Sequence, residues 1–230
     1  MAGRGLPPVL AIDGPSGSGK GTIARRVAQA LGWHLLDSGA LYRLVGLAGA
    51  RRGIDPGAAA ELAVLARELD IRFEVDPEGS ERIVLDGEEV GPELRSEECG
   101  RLASAVAALP AVREALLGLQ RGFREAPGLV ADGRDMGTHV FPDATLKVFL
   151  TATVEERANR RYKQLKDKGI DVSLAALSRD IAARDKRDTE RSVAPLEPAD
   201  DARVLDSSHL TIDEVTRIVL DWVSETVADR

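Results

Sequence analysis

Apolar positions in this chain follow two different spacings, and the changeover points mark its elements. Val9-Leu10-Ala11-Ile12 is a continuous apolar run ending at Asp13-Gly14, and over residues 22–31 apolar side chains recur at helical spacing until Gly32 stops them. This predicts a strand, a glycine-rich loop and a helix. His34-Leu35-Leu36 predicts a second buried strand, and Asp37-Ser38-Gly39 opens a helix through about Ala50 with Ser38 as its N-cap. From Asp70 the period changes to two: Ile71-Arg72-Phe73-Glu74-Val75 alternates, residues 76–80 form a turn, and Arg82-Ile83-Val84-Leu85 with Asp86-Gly87 adds a further strand and turn. Together these predict a small antiparallel insertion. Residues 94–125 return to helical spacing, interrupted at Pro110, and lead to the strand Gly128-Leu129-Val130-Ala131. Leu146-Lys147-Val148-Phe149-Leu150 and Val204-Leu205 predict two more strands, with charged helices between them and a final amphipathic helix from about Ile212. Strands alternating with helices predict an α/β fold, a parallel sheet covered on both faces.

Composition narrows this picture without changing it. A chain of 230 residues, 43% hydrophobic and 30% charged, is long enough for one sizeable core and leaves little for a disordered tail. A net charge of -7 and only 3% aromatic residues argue against nucleic acid as partner, since phosphate polymers need a basic face and single strands need stacking platforms. Cys99 is the single cysteine, so no internal disulfide forms, and a buried inert thiol in a cytoplasmic protein is expected. Residues 1–13 are neither a signal peptide nor a membrane span, and no membrane partner is expected.

The glycine loop brings in chemistry. Gly14-Pro15-Ser16-Gly17-Ser18-Gly19-Lys20-Gly21-Thr22 nearly spells the phosphate-binding pattern G-x-x-x-x-G-K-[ST], but Gly21 stands where the hydroxyl residue belongs and Thr22 comes one place late. Backbone N–H groups freed of side-chain bulk can converge on phosphate oxygens at the start of a helix, and Lys20 adds a point charge.

Arginine is the next signal. Arg157, Arg160 and Arg161 share one predicted helix, while Arg184, Arg187, Asp188 and Arg191 follow i, i+3, i+4, i+7 on the next. Such a helix is by default a solvated face with internal ion pairs. Beside a lysine-bearing phosphate loop in an acidic chain, the same arginines fit a clamp on a phosphoryl group in transfer, because guanidinium forks match its oxygens. The segment Gly169-Ile170-Asp171-Val172-Ser173 joins the two helices, which could close as a lid that excludes water. Asp132-Gly133-Arg134-Asp135 follows an apolar strand, at the carboxyl edge where ligands bind in open α/β sheets. His34, His139 and His209 have no metal-ligand spacing and are read as structural or exposed.

These stretches resemble a known family. The loop with glycine after its lysine is similar to that of the nucleoside monophosphate kinases, and Leu36-Asp37-Ser38-Gly39-Ala40-Leu41-Tyr42-Arg43, Ala131-Asp132-Gly133-Arg134-Asp135-Met136-Gly137-Thr138 and the Arg184 to Leu196 stretch resemble the bacterial cytidylate kinases. The resemblance runs from about Val9 to the last helix. It implies a P-loop kinase fold with a five-stranded parallel sheet, a core at about 9–60, 126–153 and 196–230, a monophosphate-binding insertion at about 61–125 and a lid at about 154–195, in one monomeric domain.

It also implies transfer of the γ-phosphoryl group of ATP, with Mg2+, to CMP or dCMP. Residues 14–22 would hold the ATP phosphates, with Lys20 on the transferred group and Thr22 near magnesium, assisted through water by Asp37 or Asp132. Arg157, Arg161, Arg187 and Arg191 join Lys20 as catalytic candidates. Ser38, Tyr42, Arg43, Arg134 and Arg191 would surround the acceptor phosphate and sugar, Arg184 and Asp188 the ribose, and Ser104, Arg113 and Asp135 the cytosine edge. The chemistry agrees for the base, because cytosine offers an exocyclic amine that a carboxylate accepts, whereas uracil presents an oxygen there. Two other readings stay open at this point: a kinase of another small acceptor, and a nucleotide-dependent switch, for which the guanine-reading N-K-x-D motif is missing from the chain.

Overall fold

A computed structural model describes residues 6–75, 81–167 and 169–228; the turn expected at 76–80 lies outside the described residues. Contacts divide the chain into two units, Met1–Asp37 with Arg121–Arg230, and Ser38–Gln120.

The first unit is built on a five-stranded sheet in the order β2-β6-β1-β7-β8, with every neighbouring pair parallel. The strands are β1 (Val9–Asp13), β2 (His34–Asp37), β6 (Leu129–Gly133), β7 (Leu146–Thr151) and β8 (Arg203–Asp206). All residues of β1 and β6 are buried, which is why each reads as a continuous apolar run. β2 corrects the expectation of a buried strand: only Leu36 is fully buried, because an edge strand has one neighbour.

Helix α1 (Lys20–Leu31) starts two residues earlier than its apolar periodicity, since the Ile23 N–H already bonds the Gly19 carbonyl. Its Ile23, Ala24, Val27 and Ala28 pack with Leu10, Ile12, Val130, Val148 and Leu150 of the sheet and with Val215, Val219 and Val223, a stripe on α9 (Ile212–Ala228). β6 is followed by a π-helical turn, Met136–Val140, that periodicity did not predict. Between β7 and β8 lie α7 (Val154–Asp167) and α8 (Leu174–Thr189), packed on each other. Arg191 corrects the helical spacing: α8 ends at Thr189, and the Arg191 Nε donates to the Asp188 carbonyl at 3.1 Å just beyond it.

The second unit holds α2 (Ser38–Arg51), α3 (Ala59–Glu68), an antiparallel sheet of β3 (Ile71–Val75), β4 (Glu81–Leu85) and β5 (Glu88–Glu89), and the helices α4 (Gly91–Leu94), α5 (Glu97–Val106) and α6 (Pro110–Gly122). Ser38 is the first residue of α2 and not its N-cap, because Asp37 closes β2 directly before it. Within this unit α2 runs against α5. Pro110 opens α6, as a ring without an N–H can only at a helix start. Among the described residues no single helix is long and apolar enough to cross a membrane.

Candidate active site

The phosphate loop leaves the buried centre of the sheet at Gly14. That residue has φ +151°, and a Cβ there would lie 2.0 Å from the Leu150 carbonyl oxygen, so only glycine lets the loop turn against β7. Lys20 opens α1, is buried, and donates from Nζ to the Pro15 carbonyl at 3.1 Å. Gly21 has a different reason. A Cβ at position 21 would sit 3.1 Å from Asp132 Oδ2, so the glycine after the lysine keeps room for a carboxylate arriving from β6.

Arginines of α7 hold the loop from outside. Arg157 is buried; its Nε donates to the Ala152 carbonyl at 2.9 Å, Nη1 to the Ser16 carbonyl at 3.0 Å, and the fork grips Asp185 of α8 at 3.0 and 2.5 Å. Arg160 donates to the carbonyls of Ser18 at 3.3 Å and Ser207 at 2.6 Å, and the Ser207 hydroxyl donates to the Ser18 carbonyl at 3.2 Å. The Arg157 nitrogens are thus engaged by the Ala152 and Ser16 carbonyls and the Asp185 carboxylate. Arg161 lies along its own helix, donating to Gln164 at 3.3 Å, and Arg187 is exposed.

A charged cluster gathers at the carboxyl edge. Burial pulls the Lys20 ammonium below its ordinary range, with Arg134 and Arg184 adding to the effect and Asp132 and Asp37 opposing it. An anion bound beside Lys20 would favour its charged form. Burial pushes the Asp132 carboxyl upward, with Lys20 the chief opposing charge. Asp132 stands opposite Asp37 in the β2–β6 register, and its Oδ1 is buried with no hydrogen-bond partner among the described residues. Arg134 donates from Nε to Asp188 Oδ2 at 3.0 Å. Burial raises the Asp188 carboxyl, yet Arg134, Arg191 and Arg184 outweigh it and hold the group below its ordinary value. Seven predicted residues (Lys20, Asp37, Asp132, Arg134, Arg184, Asp188 and Arg191) are thus brought together electrostatically.

Asp135, buried just after β6, belongs to the first unit as well, whereas Ser38, Tyr42, Arg43, Ser104 and Arg113 belong to the second. There the Arg113 guanidinium lies 5.8 Å from the Tyr42 ring centroid and donates to the Ala107 carbonyl at 3.4 Å. Ser104 is buried, its hydroxyl without a hydrogen-bond partner among the described residues. Arg43 donates to the Leu94 carbonyl at 2.6 Å, and Ser38 is buried at the start of α2. Cys99 is a buried thiol on the Arg43 carbonyl, and burial pushes its ionisation up, as suits an inert role. His34 contacts the Ala126 carbonyl at 3.0 Å, a structural contact.

Sequence reasoning missed Asp13, Asp185 and Ser207. Asp13 is buried, and accepts the N–H groups of Met136 and Gly137 at 2.8 Å each. A charge closing an otherwise apolar strand was its only signal; Asp185 and Ser207 had none.

Comparison with known proteins agrees with this geometry. The family model described as cytidylate kinase matches residues 10–225. A cytidylate kinase of Nitrosococcus oceani is 58% identical over 218 residues, covering 94% of this chain and 96% of its own. One from Ralstonia pickettii is 60% identical over 215 residues, covering 94% and 91%. Among solved structures, an uncharacterised protein from Eubacterium ventriosum superposes with a TM-score of 0.51 at 11% identity over 95% of this chain and 98% of that one, a likeness of fold alone. With a phosphate loop on a parallel five-stranded sheet, arginines converging on its lysine and a family match over nearly the whole length, this chain belongs to the cytidylate kinase family.

Proposed function

We infer that the cluster around Lys20 is the phosphoryl-transfer centre of an ATP-dependent kinase whose acceptor is CMP or dCMP. The observation that carries this is the gathering of Lys20, Arg134 and Arg184 in one charged cluster at the mouth of the phosphate loop. A terminal oxygen of the monophosphate attacks the γ-phosphorus in line, the bond from that phosphorus to the β–γ bridging oxygen breaks, and ADP and the diphosphate result without a covalent enzyme intermediate. Lys20 and the N-terminus of α1 hold the donor phosphates, and Arg134 and Arg191 orient the acceptor phosphate. Arg184 and Asp188 hold the ribose, and Ser38, Tyr42 and Arg43 complete the acceptor side. Arg161 and Arg187 on α7 and α8 come into play when these helices close as a lid and exclude water. Arg157 serves the same step indirectly, by fixing the loop through the Ser16 carbonyl.

Oxygen donors suit magnesium. Asp132, whose buried Oδ1 has no hydrogen-bond partner among the described residues, or Asp37 opposite it would hold a magnesium ion through water, with Thr22 near the ion. A magnesium ion held there would neutralise charge on the phosphoryl oxygens. The protein works as a cytoplasmic monomer on small-molecule substrates, with neither nucleic acid nor membrane as partner.

Asp135 accepts the exocyclic amine of cytosine, with Arg113 and Ser104 on the ring acceptors. The test is ADP release from Mg-ATP with CMP, dCMP, UMP and AMP in parallel. CMP and dCMP are expected to be preferred, and turnover of UMP or AMP but not CMP would overturn the assignment. In Asp135→Ala, the KM for CMP is expected to rise and the preference over UMP to shrink by about tenfold or more, while the KM for ATP stays near its original value.

A further inference from the structure

We propose that Asp13 is a positioning residue for the base-reading carboxylate: from the end of β1 it caps the π-helical turn Met136–Val140 and thereby fixes Asp135. This rests on the reading of Asp135 given above. Asp13 Oδ1 accepts the Met136 N–H and Oδ2 the Gly137 N–H, both at 2.8 Å. These are first N–H groups of the turn, which no carbonyl within it can satisfy.

The residue that would ordinarily cap them is the one just before, and aspartate is among the best of all N-caps. Yet Asp135 makes no side-chain capping bond; only its backbone carbonyl enters the turn, accepting from His139 at 2.9 Å and Val140 at 3.1 Å. Capping has passed to Asp13. Two bonds to adjacent N–H groups fix the turn in rotation as well as in position, which one bond would not do. The surroundings are equally close on the other side: a Cβ at Gly137 would come within 3.0 Å of the Lys147 side chain and 3.4 Å of Asp13 Oδ2. Because β1 also launches the phosphate loop, the base-reading turn and the loop are referenced to one strand.

Asp13→Asn is the test, because asparagine keeps the shape but offers one acceptor, and its amide opposes the second N–H. Amide exchange at Met136 and Gly137 is expected to accelerate by about tenfold or more, the KM for CMP to rise about tenfold and the CMP-over-UMP ratio of kcat/KM to fall, with the KM for ATP within about twofold. Gly137→Ala, which crowds the same contact, is the second variant and is expected to lower the same ratio. Unchanged ratios in both, or an equal rise in the KM for CMP and ATP, would overturn the proposal. Asp135→Ala measured alongside separates the two readings: no loss of preference there overturns the base reading and this inference with it, whereas a loss there and none in Asp13→Asn or Gly137→Ala overturns this inference alone.

Discussion

Asp13 carries a buried carboxyl group. Burial pushes its pKa up to about 6 from an ordinary 3.8, against the pull of the Gly137 and Met136 N–H groups and of Lys20, with Asp135 adding to the rise. Between those two values the folded chain holds a proton that the unfolded chain has released, so the stability this group contributes falls as pH rises from about 4 to about 6. Asp13→Asn does not titrate. The stability difference between variant and parent is expected to move in favour of the variant by about 2 kcal/mol between pH 4.5 and pH 7, read by urea unfolding at both. A difference that stays constant with pH would show that the carboxyl titrates at its ordinary value. At this scale the glycine loop, the DGRD stretch and the paired arginines were legible in the sequence, since each is a local pattern. The reason for Gly21 was not, because the carboxylate it makes room for comes from another strand.

Among the elements, α7 has the most unexpected part. Its periodicity and charge fit a solvated helix, yet Arg157 and Arg160 turn inward and donate to carbonyls of the phosphate loop. Only the two ends of the segment, α7 and the loop, together reveal this, and they stand far apart in sequence. Arg157→Lys keeps the charge but not the fork that reaches Ser16, Ala152 and Asp185 at once. Its KM for ATP is expected to rise severalfold with a smaller effect on CMP, and its unfolding midpoint to drop, because the partly buried Asp185 is left without its bidentate partner. Steady-state kinetics in each substrate together with thermal unfolding check this. Equal effects on both substrates would mean that the clamp supports the fold at large and not the loop.

For the molecule as a whole, the five parallel strands were readable as apolar runs, but their order was not. Leu10 and Val204 look alike in sequence, yet Leu10 lies in the central strand at 1% exposure and Val204 in the edge strand β8 at 59%. Leu10→Ala is expected to cost about 2–5 kcal/mol, and Val204→Ala no more than about 0.5 kcal/mol, by chemical denaturation. Comparable losses would contradict the strand order. The sequence by itself determined the alternation of strand and helix, the phosphate loop and the family, because periodicity, glycine placement and motif spacing are written in consecutive residues. Tertiary structure alone decided which strand became an edge, that α2 packs with α5, that Arg157 serves the loop and that Asp13 caps a turn more than a hundred residues away. Those outcomes depend on which side chains meet after the chain closes on itself, and contacts between distant residues leave no spacing for a linear reading to find.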